Sequence, residues 1–79
     1  MREVTTVKEA DVLVRVGTLI LLRTGSVIPE GTVLQVGEIE RRLFDHKIIM
    51  ALPFEFRGQT FYILARDVGE HSGDELVFK

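Results

Sequence analysis

Two histidines, His46 and His71, and two serines, Ser26 and Ser72, are the most versatile side chains in this 79-residue sequence. His71 stands in Glu70-His-Ser-Gly-Asp-Glu75, and His71, Asp74 and Glu75 are residue types that hold divalent cations. Such ligands must be held in place by outer hydrogen bonds, and a polar loop containing glycine gives little fixation. The cluster reads as a solvated turn, so no metal is expected. The serines lie outside any GxSxG turn, there is no cysteine, and neither GxGxxG nor GxxxxGK[ST] occurs. No catalytic residue and no cofactor is expected from these elements of the sequence.

Cations suggest a second chemistry. Arg41, Arg42, His46 and Lys47 are close in sequence, with Arg57 and Arg66 further on. Phe44 or Tyr62 could stack a base beside them. Arg41, Arg42, Lys47 and Arg57 are therefore the candidate contacts of a nucleic-acid-binding regulator. Glu38, Glu40, Asp45 and Glu55 are interleaved with them, and residues 38–57 carry four basic and four acidic groups. Phosphate binding draws its strength from several neutralised phosphates, which needs a net positive stripe. A balanced segment in a chain of net charge −2 fits a solvated, internally paired surface better.

The third candidate surface is apolar. In Ile48–Asp67 the even positions Ile48, Met50, Leu52, Phe54 and Phe56 are all hydrophobic. That period of two belongs to a strand with a buried face. Gly58-Gln59 suits a type II′ turn, which pairs Phe56 with Phe61, Phe54 with Ile63 and Leu52 with Ala65. The opposite face is also apolar, through Ile49, Ala51, Pro53, Tyr62 and Leu64, and Leu19 and Leu21 form a second such pair. A small barrel has one interior, so this strip must meet water, a partner, or a cover made by residues 1–11 and the long loop. Ala51, Pro53, Tyr62, Leu64, Leu19 and Leu21 are the expected partner-binding residues.

The elements that position these groups are strands. Val12, Val14, Val16, Thr18, Ile20 and Leu22 alternate through one long strand, bent at Gly17. Residues 1–11 form an arm or short turn before it. Thr24-Gly-Ser and Pro29-Glu-Gly31 punctuate a long loop. A short strand Thr32–Val36 follows, then a loop with a helical turn over residues 37–47, where Val36, Ile39 and Leu43 sit at helical spacing. Strands over 48–57 and 60–66, a tight turn over 66–70 and a last strand Glu75–Lys79 complete the order.

This order, with the hairpin RGQTFYILARDVGE, resembles small SH3-like barrels over residues 12–79. The resemblance implies an all-β, SH3-like barrel of five to six strands with a short helical turn. The aromatic groove of signalling SH3 domains lacks its parts here, since tryptophan is absent. Type II dihydrofolate reductases are SH3-like barrels of nearly this length that assemble around a central pore. Their Val-Gln-Ile-Tyr stretch corresponds to Thr60-Phe-Tyr-Ile63, which lacks the glutamine and the order of the motif. The resemblance thus supports a barrel that self-associates, with a ligand-binding or catalytic oligomer as the third reading.

Length and composition agree with one domain near the lower size limit for a core that folds unaided. At 46% hydrophobic the chain is apolar for its size, and it has no disulfide to staple it. The longest apolar runs, Leu19–Leu22 and Ile48–Phe54, fall far short of the roughly 20 residues that span a bilayer. A soluble cytoplasmic protein is the expectation. Its favoured role is a non-enzymatic interaction module that binds itself, as a homodimer, or a protein partner.

Overall fold

The structure is a computed structural model, which describes residues 1–70. Its strands are β1 (Arg2–Thr5), β2 (Ala10–Val16), β3 (Ile20–Ile28), β4 (Val33–Val36), β5 (Glu40–Phe44), β6 (Lys47–Phe56) and β7 (Gln59–Leu64). A 3-10 turn, Ala65–Val68, follows β7 and ends at Gly69 in a left-handed conformation. The fold is all-β. Five strands form a barrel-like ring in the order β2-β3-β5-β6-β7, and β1 pairs with β4 as a separate two-stranded flap. The ring has two thin seams, the antiparallel bridge Leu13↔Tyr62 and the parallel bridge Ile20↔Leu43. A helical turn after the β6–β7 hairpin agrees with the resemblance, while the expected strand Glu75–Lys79 lies outside the described residues.

Turn chemistry explains the registers. Asp45 and His46 have φ of 52° and 64° and close the β5–β6 hairpin between Phe44 and Lys47. Arg57 and Gly58 have φ of 54° and 80° and close β6–β7 between Phe56 and Gln59. Positive φ at both loop positions is the type I′ geometry, whose twist matches the flanking strands. This corrects the expected II′ turn at Gly58-Gln59. Phe54 faces Phe61, Leu52 faces Ile63 and Pro53 faces Tyr62, a slip of two from the expected pairing. A slip of two changes partners but leaves every side chain on its own face.

Three further expectations are corrected. The long strand Val12–Leu22 is a hairpin, turning over residues 17–19 with Gly17 at φ 69°. Three loop residues preserve the odd-even alternation, so the pattern runs on through the reversal. Thr24-Gly-Ser lies within β3, at a bulge where the β2–β3 register jumps between Asp11↔Val27 and Leu13↔Arg23. Thr24 Oγ1 donates to Val12 O at 2.9 Å and accepts from the Ser26 N–H at 3.1 Å, replacing ladder bonds there. The stretch 37–47 is β5 with its hairpin turn, not a helical turn.

Two apolar cores result. Leu13, Leu21, Phe44, Ile49, Ala51, Tyr62 and Leu64 fill the barrel. Ala10, Leu52, Phe54 and Ile63 lie on its outer surface and are covered by Val4 and Val36 of the flap, together with Ala65 and Val68. Thr6, 2% exposed, ties this cover down. Its hydroxyl donates to Pro29 O and accepts from the Thr32 N–H, each at 2.8 Å. The Gly37 N–H donates to Pro53 O at 2.8 Å, where a Cβ on residue 37 would come within 3.1 Å of the proline ring.

The turn after β7 docks on the N-terminal segment, with the Val7 N–H donating to Asp67 O at 2.9 Å and Arg2 forming a two-pronged ion pair with Glu70. The Asp67 carboxylate is buried, with Lys8 Nζ 3.5 Å from Oδ1. Burial pushes its pKa above the ordinary carboxyl range, outweighing the opposite pull of Lys8. The folded state therefore holds this proton more tightly than the unfolded state. The resulting stabilisation is full below the unfolded value of about 3.9 and is lost as pH rises through the folded value. Asp67→Asn should accordingly raise the melting temperature at neutral pH. That gain should shrink below about pH 4, a crossover that thermal unfolding at several pH values reads directly.

Candidate interaction surface

Cross-strand partners share a face, which fixes what each side of the barrel presents. Val14↔Leu22 and Val16↔Ile20 stand opposite one another on the outer face of the β2–β3 hairpin. Val16, Ile20 and Leu22 are 48%, 43% and 51% exposed, and Leu19 at the turn is 42% exposed. Their neighbours along the chain, Leu13 and Leu21, point into the barrel and are buried. The flap covers the outer surface near Leu52 and Ile63 but leaves this hairpin bare. These residues put exposed apolar side chains together on one face, the kind of surface that marks a contact.

The expected strip lies elsewhere. Ala51, Tyr62, Leu64 and Leu21 are at most 3% exposed and sit inside the barrel, so they are unavailable to a partner. Pro53 is half-buried at the barrel mouth, and Leu19 alone of the six is exposed. The premise of two apolar faces holds, but inside and outside were exchanged.

The candidate phosphate contacts do not converge. Arg42 shares a face with Ile49 and Glu40 with Ala51, both barrel-interior residues. Arg42 pairs with Glu40, donates to Arg41 O at 2.7 Å, and has a buried Nε without a partner among the described residues. Tyr62 OH donates to the same Glu40 oxygen at 3.1 Å. Arg41 is exposed on the opposite face of β5, beside Met50. Lys47 opens β6, and Arg57, stacked 5.2 Å over the Phe56 ring, follows its end. Ten strand residues at about 3.3 Å each hold those two cations about 30 Å apart.

Other charges are also engaged. Arg23 bridges β3 to the β5–β6 turn, donating to both Asp45 oxygens at 3.2 and 2.9 Å and to Asp11 at 3.3 Å. Its guanidinium lies 4.6 Å from the Phe44 ring centre, and it holds the Asp45 carboxyl below the usual range. His46 sits in that exposed turn. Among the described residues no group of three His, Asp or Glu side chains is placed to hold a metal. His71, Asp74, Glu75 and Ser72 lie outside them. No helix among the described residues is long and apolar enough to cross a membrane.

Sequence reading missed Val14, Val16, Ile20 and Leu22 as surface residues, because an apolar alternation is also what a buried strand face shows. It also missed the inward Glu40–Arg42 pair, for which the only signal was two charges at a spacing of two within an otherwise strand-like stretch. No protein-family model, curated protein or solved structure matches this chain.

Proposed function

We propose that the chain is a small non-enzymatic interaction module that self-associates through the outer face of its β2–β3 hairpin. The observation that supports this reading is the exposure of Val16, Ile20, Leu22 and Leu19 together on the β2–β3 hairpin of a 79-residue chain. A two-stranded apolar face of this composition suits face-to-face sheet packing, about 10 Å between layers. A second copy is the simplest occupant, since one self-complementary patch closes on itself about a two-fold axis. The two arginines of this hairpin do not oppose such a contact, because Arg15 and Arg23 pair across the ladder with the interior residues Leu21 and Leu13.

Leu22→Glu tests the reading. It puts a carboxylate at the patch centre on a residue already half exposed, so the monomer should stay folded. Sedimentation across a wide concentration range should show a wild-type dimer and a monomeric variant with unchanged circular dichroism. A wild type that is monomeric throughout that range overturns the proposal.

A further inference from the structure

A second apolar feature lies beside this patch, where the flap and the barrel surface do not meet. Val12, Ile28 and Leu34 line a cleft there together with Phe54, Phe56 and Phe61, and its volume is about 450 Å³. That falls within the roughly 300–1,000 Å³ typical of small-molecule sites. The remaining lining residues are Thr24, Ser26, Val27, Pro29 and Thr32, so among the described residues no charged side chain lines it, although 28% of the chain is charged. Such a wall offers nothing to offset the desolvation of an ion.

The polar groups present are hydroxyls, and most are occupied. Thr24 Oγ1 bonds to Val12 O and the Ser26 N–H, and Thr32 Oγ1 donates to Pro29 O at 2.7 Å. The Ser26 hydroxyl has no partner among the described residues, and the bulge holds it at the cleft wall. One free hydroxyl on an aromatic-lined wall matches a ligand with an apolar body and a single neutral polar group.

We propose that this cleft binds an uncharged aromatic or aliphatic small molecule bearing one hydroxyl or carbonyl group. The site does not depend on self-association, because Val16, Leu19, Ile20 and Leu22 take no part in it.

The probe is 2-naphthol, titrated into the full-length chain at neutral pH and followed by amide and aromatic NMR shifts. Saturable shifts should appear at Phe56, Phe61, Ser26 and Ile28, and not at Leu22 or Val16. The charged analogue 2-naphthoate should bind at least tenfold more weakly, since its carboxylate would lose water without gaining a cation (about 1.4 kcal/mol corresponds to that factor). Phe56→Ala removes an aromatic wall that is 57% exposed, so the fold should persist. It should weaken naphthol by about twofold to tenfold, the worth of one aromatic contact. Equal affinity for naphthoate, shifts centred on the β2–β3 patch, or no saturable shift at all would overturn the proposal. So would a cleft already filled by a second copy, seen as concentration-dependent shifts of the cleft residues before any naphthol is added.

Discussion

Leu64→Glu should unfold the chain. Leu64 is 3% exposed, stands opposite Ala51, and is enclosed by Leu13, Leu21, Phe44, Ile49 and Tyr62. Arg42 also lies on the interior side, but Glu40 already occupies it. A new carboxylate would therefore be buried without a counter-charge, at a cost of several kcal/mol after relaxation. A domain of this size has a total stability of only about 4–12 kcal/mol at typical values per residue. Loss of the far-UV strand signal and collapse of amide dispersion are the expected results. A folded variant with a near-native melting temperature would mean that Leu64 faces outward. The contrast with Leu22→Glu is the useful part. Both put a carboxylate on a leucine of the same sheet, and only the buried one should unfold the monomer.

That contrast also marks how far the sequence could be read. Alternation along β6 and β7 correctly grouped Leu52, Phe54, Phe61 and Ile63 on one face and Ala51, Tyr62 and Leu64 on the other. A period of two reports membership of a face, not its direction. Polar residues usually break the tie, and Glu55 and Arg57 on the odd positions of β6 and its turn argue for a solvent-facing odd side. They lie at or beyond the barrel end, where the strand leaves the core, and are exposed. The decisive element is the flap. Val4 of β1 and Val36 of β4 are far apart in the sequence, and they come together only through the pairing Val4↔Leu34 and Arg2↔Val36. Their cover lets both faces of β6 and β7 be apolar.

The same limit applies to Glu40–Phe44. As a strand it showed no apolar face, because Glu40 and Arg42 turn inward as a pair that also binds Tyr62 OH. Opposite charges that pair can turn inward together, but hydrophobic periodicity counts them as two polar residues. The hairpin turn was similarly hidden. Asp45-His46 lacks the glycine that signals a type I′ loop, although aspartate and histidine are among the residues that tolerate positive φ.

Phe54→Ala should cost about 3–5 kcal/mol, the usual loss for truncating a buried phenylalanine. Phe54 is 8% exposed, and its ring centre lies 6.1 Å from that of Phe61, its cross-strand partner, at a tilt of 36°. It belongs to the outer core under the flap rather than to the barrel interior. The damage should therefore begin where the flap rests. Hydrogen exchange should accelerate first at Val4 and Val36, and only with global unfolding at Leu13 and Leu21. Phe56→Ala, two residues on and 57% exposed, serves as the control and should cost less than about 1 kcal/mol. Denaturant unfolding of the two variants separates them. A loss below about 1 kcal/mol for Phe54→Ala would mean that the flap does not cover the barrel's outer face. Uniform acceleration of exchange across both cores would instead show that flap and barrel unfold as one unit, with Phe54 binding them together.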